Sequence, residues 1–240
     1  MSPGGLAIHP HRAPRPMHVS AFGYVSQGRV RRLSSWLLAF AGIGVAAMLG
    51  DIVDLAVLAE ADRAHFLADA DAGMLELRGL VTRALFGLAF AGCAVALSRF
   101  LVQANRNAAF LGVGLPTVAP SSMVLWFFVP IACLWRPYLA VRELWNMSAP
   151  RAKRDDDPNA KAVTAWWVAW LVALVLFAFA FRFADGAATP DDWLDVTTVD
   201  LGAKLALVAA ALLARRWARV LSERQDDARA EHICDRAGTR

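Results

Sequence analysis

Ala162-Val-Thr-Ala-Trp-Trp-Val-Ala-Trp-Leu-Val-Ala-Leu-Val-Leu-Phe-Ala-Phe-Ala-Phe181 is the stretch that decides the fold. It carries no charge and is almost wholly apolar. A helix crossing the hydrocarbon of a bilayer needs about 20 such residues. Trp166, Trp167 and Trp170 stand at its start, the place of an interfacial aromatic belt. The segment therefore predicts a membrane-spanning helix, and the chain on either side of it contains three more.

Upstream, a first span runs from Leu33 to about Val53, preceded by Arg29, Arg31 and Arg32 and carrying Trp36 near its start. Gly42, Gly44, Ala46 and Ala47 give it a small-sided face that admits a close neighbour. A second span covers about Ala84 to Val102, with Gly87, Ala91 and Gly92 on it. Residues 60–83 read as an acidic connection, and residues 112–122, with two glycines and two prolines, as a loop. Downstream, a last span lies between about Thr197 and Ala214 and ends at Arg215, Arg216, Trp217 and Arg219. Residues 1–32 are rich in Pro, Gly, His and Arg and read as a disordered tail; residues 33–220 form the membrane domain; residues 221–240 are a charged tail, read as a fraying helix.

Composition agrees. Of 240 residues, 58% are hydrophobic and the mean hydropathy is +0.42, against roughly 45–50% apolar for an ordinary soluble domain. The runs use up most of the length, so no sizeable soluble domain is expected. No cleavable signal peptide is read; the first span is expected to target the chain itself. Cys93, Cys133 and Cys234 are far apart and form no CxxC pair. Arg far outnumbers Lys, which with the many alanines hints at a GC-rich bacterial genome.

One segment departs from the span pattern. Met123-Val-Leu-Trp-Phe-Phe-Val-Pro-Ile-Ala-Cys-Leu-Trp135 is apolar and aromatic but broken by Pro130 and only 13 residues long. Runs of about 10–14 are more often re-entrant or interfacial than spanning. Arg136-Pro137-Tyr138 follows, and Pro137 suits the first turn of a helix covering roughly Tyr138 to Asn146. Charge supplies the topology, because loops rich in Lys and Arg stay in the cytoplasm. The N-terminal tail, the loop after span two, the loop of residues 136–161 and the Arg-rich C-terminus are basic, while the connections before span two and before the last span are acidic. Basic loops on both sides of the Pro130 segment argue that it enters and leaves on one face. The expectation is an all-α integral membrane bundle of four transmembrane helices plus a Pro-broken re-entrant or interfacial segment, with both termini cytoplasmic. The competitor is a fifth, kinked span, which would put the C-terminus outside.

The run Trp126-Phe-Phe-Val-Pro130-Ile-Ala-Cys-Leu-Trp-Arg-Pro137-Tyr-Leu-Ala-Val-Arg-Glu143-Leu-Trp145 resembles the signature of a bacterial multispanning membrane-protein family known only as a domain of unknown function. The pattern is roughly W-F-x-P-I-x-x-L-x-x-P-Y-x-x-x-x-E-L-W. The match includes Trp126, Pro130, Pro137, Tyr138, Glu143 and Trp145; Arg106-Asn107 upstream and the Trp166-Trp167 pair fit as well. The resemblance covers about residues 35–220. It implies a bacterial inner-membrane protein and brings no reaction with it.

Two groups of residues are candidates for function. The first is the central motif with Arg136, Arg142, Glu143 and Asn107: either a re-entrant element whose cytoplasmic mouth these charges line, or an interfacial wedge whose arginines touch lipid phosphate. The second is an ionisable cluster, Asp51, Asp54, Asp200 and Lys204, placed in the outer half by the topology. Asp200 and Lys204 are four apart and share a helix face. Lys204 lies deep enough to need a partner, and Asp200, together with Asp51, is the expected one. The cluster reads either as an ion or proton pathway or as an ion pair joining the first and last spans.

No catalytic motif stands out, neither G-x-S-x-G, H-E-x-x-H nor a phosphate loop. No metal site is expected from His9-Pro10-His11, from the isolated His65 and His232, or from Asp155-Asp156-Asp157, and no cofactor is implied. The expected partners are the bilayer, with anionic headgroups at its cytoplasmic face, and a membrane-protein partner or a second copy of the chain, but no nucleic acid. The leading expectation is a non-enzymatic membrane scaffold or assembly partner. A small transporter or channel using Lys204 and the Pro130 segment is the alternative, and a lipid-modifying enzyme trails both.

Overall fold

A computed structural model describes residues 28–64, 69–111, 117, 119–148 and 160–238. Among the described residues there are helices and turns and no strand. The elements in chain order are α1 (Gly28–Ala64), α2 (Asp69–Phe110), α3 (Pro120–Leu125), a short 3-10 turn (Ala132–Leu134), α4 (Arg136–Met147), α5 (Ala160–Ala184) and α6 (Pro190–Gly238). Four of them, α1, α2, α5 and α6, are long and apolar enough to cross a membrane.

These four run alternately up and down. Phe40 of α1 packs on Phe86 and Phe90 of α2, and the Trp36 carbonyl accepts from Cys93 Sγ. Phe90 stacks on Trp170 of α5, and Phe86 faces Phe177. Trp166 of α5 meets Trp217 of α6, while Ser34 of α1 accepts from Arg215 of α6. The helix pairs α1–α2, α2–α5, α5–α6 and α1–α6 are thus antiparallel, and the start of α1 and the end of α6 lie at the same end of the bundle. Close approach of α1 and α6 depends on Gly44, whose missing Cβ would stand 2.5 Å from Val208 Cγ2.

The helices outrun the spans read from hydropathy. The segment 60–83, expected as a connection, is largely helical: α1 continues to Ala64 and α2 is already helical at Asp69. Acidic residues mark the edge of an apolar run, but they do not stop a helix, and packing between the two antiparallel helices carries both on. Leu58 and Ala61 are buried in that extension. Likewise α1 starts at Gly28, within the stretch expected to be disordered; residues 1–27 lie outside the described residues. The charged C-terminal stretch is helical to Gly238. In the expected loop 112–122, helix α3 starts at Pro120, and 112–116 and 118 are outside the described residues. So are His9, His11, His65 and Asp155–Asp157, and the side chain of His232.

Helix α6 starts on a reciprocal cap. Asp192 Oδ2 accepts from Ala188 N (3.0 Å), Thr189 N (2.8 Å) and Thr189 Oγ1 (2.7 Å), and Asp192 N donates to Thr189 Oγ1 (3.2 Å). This is a Thr-x-x-Asp capping box with Pro190 in the first turn. The Ala188 amide, followed by the Thr189 groups, holds the Asp192 carboxyl below its ordinary range.

Candidate functional site

The central motif builds a compact lobe against one end of the bundle. Its backbone leaves helix at Trp126 and turns repeatedly before α4, and most of its amides find local acceptors. Phe127 N bonds Val124 O (3.2 Å), Phe128 N bonds Leu125 O (3.0 Å), Cys133 N bonds Val129 O (2.9 Å) and Leu134 N bonds Ile131 O (3.0 Å). Ala132 N reaches back two residues to the Pro130 carbonyl at 2.7 Å, closing a γ-turn with Ile131 at its centre, φ 66° and ψ −56°. Among the described residues Ile131 is the one non-glycine with positive φ. A β-branched residue there is strained by about 1–3 kcal/mol.

The lobe packs on α2 at its start and on α5 from its middle to its end. Near its start, Met123 is buried and its Sδ accepts from Asn105 Nδ2 of α2 at 3.0 Å. In its middle, Phe127 meets the Trp167 ring edge-on. At its end, the Leu134 carbonyl accepts from Trp167 Nε1 at 3.0 Å, Tyr138 stacks on the same indole, and Tyr138 Oη bonds Thr164 Oγ1 (3.1 Å). The middle and the end of the segment thus share one indole of α5. The paired tryptophans divide the work: Trp167 receives the lobe, while Trp166 turns inward to Trp217.

Helix α4 then locks the lobe. Pro137 sits buried in its first turn, and Val141, Leu144 and Trp145 are buried behind it. Glu143 caps the incoming chain, accepting from Thr117 N (2.8 Å) and Thr117 Oγ1 (2.6 Å). Arg136 lies over the Trp126 ring at 5.2 Å and Arg224 of α6 over Trp145 at 4.3 Å. Arg142 is exposed. On the outer side of the lobe Phe128 (74%) and Ile131 (70%) are the most exposed large apolar side chains, flanked by Leu125 and Trp135.

Asn107 belongs to a buried polar string at this end. Arg29 of α1 donates to Gln103 Oε1, Gln103 Nε2 donates to Asn107 Oδ1 (2.8 Å), and Asn107 Nδ2 donates to Gln225 Oε1 of α6 (3.4 Å). Gln225 Nε2 donates in turn to the Ala104 carbonyl (2.9 Å) and to Ser148 Oγ after α4 (3.0 Å). Gln103, Ser148 and Gln225 were not among the residues singled out from the sequence. Gln103 and Asn107, four apart within one helix, carried the readable half of the signal; nothing local marks Gln225 or Ser148. Beside the string, Trp217 Nε1 is buried without a hydrogen-bond partner.

The second candidate group splits. Lys204 Nζ lies 2.8 and 2.7 Å from the two oxygens of Asp51 and 2.7 Å from Asp200 Oδ2. Lys204 and Asp51 are both buried. The ammonium thus ties α6 to α1 through Asp51, while Asp200 holds it from its own helix. Asp54 is not one of its hydrogen-bond partners: it approaches Arg78 of α2 at 2.7 Å, off the hydrogen-bond direction, and Arg78 Nε is buried unpaired. The two charged sets tie α1 to α6 and α1 to α2. Along α6, Lys204 and Gln225 are about 32 Å of helix apart, so the ion pairs and the Pro130 lobe stand at opposite ends. Among the described residues no cluster of three or more His, Cys, Asp or Glu side chains could hold a metal ion.

No curated protein and no solved structure matches the chain. A family model does, over residues 63–223, which include the Pro130 lobe and three of the four long helices. The chain belongs to the family described as a domain of unknown function, DUF4328.

Proposed function

We propose that this protein is a non-enzymatic scaffold of the bacterial inner membrane, four spans with both ends cytoplasmic, which holds a membrane-embedded lobe ready for assembly with other components. The observation that carries the reading is the closed pairing of the buried Lys204 ammonium. Lys204 is matched by Asp51 of α1 and by Asp200 on its own helix, the arrangement of a clamp that fixes α1 against α6. A transport path built on Lys204 and the Pro130 lobe together has to cross the packed aromatic layer of Phe100, Trp166 and Trp217 that lies between them.

Charge asymmetry supports the orientation. The end bearing the lobe carries Arg29, Arg99, Arg106, Arg136, Arg142 and Arg215, whereas at the opposite end Arg63, Arg78 and Arg182 are paired with Glu60, Asp54 and Asp185 and stand with Asp62, Asp191 and Asp195. In this orientation the exposed Phe128 and Ile131 enter the cytoplasmic leaflet, with Arg136 and Arg142 beside anionic headgroups.

Proteoliposomes test the function. Under the scaffold reading, the wild-type protein adds no ion or proton flux over empty vesicles, and Lys204→Ala lowers accumulation in cells. A flux that Lys204→Ala removes while the protein still accumulates would replace the scaffold with the transporter. Impermeant thiol labelling tests the topology, with single cysteines at Gly114, Ala152, Ala188 and Thr239 and the native cysteines replaced. Only the Ala188 position should react in intact cells; labelling at Ala152 and Thr239 instead would overturn the orientation.

A further inference from the structure

From Met74 through Leu77, Val81, Ala84, Leu88 and Ala91 to Val95, α2 carries apolar residues at alternating spacings of three and four. Every one of these side chains is exposed in the single chain, Leu88 at 71%. This is the spacing of a coiled-coil seam, an average period of 3.5 that keeps one helix facing another. The seam is not the face α2 uses inside the bundle. Ala89, Cys93 and Phe100 are the residues it buries against its neighbours, and they lie on the other side of the helix. Leu80 and Leu85, both exposed, widen the seam.

The seam crosses the boundary of the apolar core. The spanning part of α2 begins near Ala84, and the exposed Arg83 stands at its edge. Met74 lies ten residues beyond Ala84, about 15 Å of helix. The headgroup layer on one side adds only roughly 5–8 Å to the hydrocarbon. Lipid therefore covers Leu88 and Val95 but not Met74 or Leu77. A water-borne partner covers Met74 and Leu77 but not Val95. One occupant covers the whole length in one register: the same helix from a second copy in the same membrane, necessarily parallel to the first. Gly87 leaves room for it, since a Cβ there meets nothing within 4 Å, and with Ala84 it gives the small side chains that bring spanning helices close.

We infer that the protein forms a parallel homodimer through the α2 seam from Met74 to Val95. The pairing does not rest on the scaffold reading; a transporter would pair by the same face. A two-fold axis normal to the membrane places each seam residue beside its own copy.

Cysteine cross-linking in membranes reads this directly. The native cysteines are replaced, and single cysteines are placed at Leu77, Val81 and Leu88 on the seam and at Glu76 and Arg83 off it. A short bis-maleimide is expected to give a covalent species of twice the chain mass at the three seam positions and little at the two controls. Adding Leu77→Lys to the Val81 probe should abolish that species, while Leu77→Met should leave it. Equal cross-linking at all five positions overturns the inference. So does the absence of dimer when all five proteins accumulate and react with a monofunctional maleimide. A product containing a different protein at the seam positions overturns it too.

Discussion

Replacing Gly44 by Ala adds one methyl at the tightest place in the α1–α6 interface. The new Cβ would lie 2.5 Å from Val208 Cγ2 and 3.5 Å from Phe86 Cε2. Contact between two carbons is comfortable only from about 3.5 Å. Val208 cannot step aside easily, because a β-branched side chain on a helix has one strongly preferred χ1 and this one is buried. The helices must part instead, and overpacking of this kind costs about 1–3 kcal/mol. The substitution also gains helix propensity, up to about 1 kcal/mol for Gly to Ala, which obscures the sign of the result taken alone. Gly42 provides the reference: it lies on the same helix two residues away, with nothing within 4 Å of its notional Cβ. The propensity gain is common to both substitutions, so Gly44→Ala should be less stable than Gly42→Ala by about 1–3 kcal/mol. Unfolding in mixed detergent micelles, followed by tryptophan fluorescence, measures the difference. Adding Val208→Ala to Gly44→Ala should recover part of the loss, with a coupling of at least about 0.5 kcal/mol between the two sites. Equal stability of the two glycine variants, or strict additivity with Val208→Ala, refutes the packing argument.

Other outcomes follow from the same contacts. Lys204→Met leaves Asp51 buried without its cation and should destabilise the protein by about 3–5 kcal/mol; Asp51→Leu combined with Lys204→Met should recover much of this in the same assay. Gln225→Leu removes the donor to Ser148 and to the Ala104 carbonyl, and a lost buried partner costs about 1–3 kcal/mol, read as a lower midpoint in the same micelle unfolding. Ile131→Gly releases the positive-φ strain at an exposed side chain, so the detergent-solubilised protein should be as stable as wild type or more so, by up to about 1–3 kcal/mol. Asp192 has its pKa depressed by the amides and hydroxyl it accepts from. Its capping contribution is therefore present above the ordinary carboxylate pKa of about 3.9 and is lost as pH falls through the depressed value. The protection of the Ala188 and Thr189 amides relative to their intrinsic exchange rates should fall in that acid window, and Asp192→Asn should remove this pH dependence of the protection.

The spans were legible because hydrocarbon imposes a length and a composition that no soluble helix shares. The ends of the helices were not legible. Acidic residues between Glu60 and Glu76 lie past the apolar runs, yet α1 stays helical to Ala64 and α2 is already helical at Asp69. The segment around Pro130 was readable as a break in the span pattern from its length and its proline, and its turns and its packing on Trp167 are the form that break takes. Lys204 announced its need for a carboxylate, and the spacing to Asp200 named one partner; Asp51, 153 residues away, was reachable only through the topology. Asp54 was grouped with Lys204 on position alone, and Arg78 of the neighbouring α2 takes it instead. Gln225 was hidden by its neighbours: in a charged stretch, one buried amide has no local mark.

Helix α6 is long enough to reach well past the bilayer, and its mechanical behaviour depends on where it is held. Its 49 residues amount to about 73 Å of rod, more than twice the roughly 30 Å of hydrocarbon. Lys204 grips it on α1 and Gln225, 21 residues further on, grips it on α2, so the length between them moves as one body with those helices. The thirteen residues beyond Gln225 form an arm of about 20 Å. A force applied at the tip of that arm is delivered as torque on the amide string and on the Arg224–Trp145 contact, the joint through which α6 meets α4 and the Pro130 lobe.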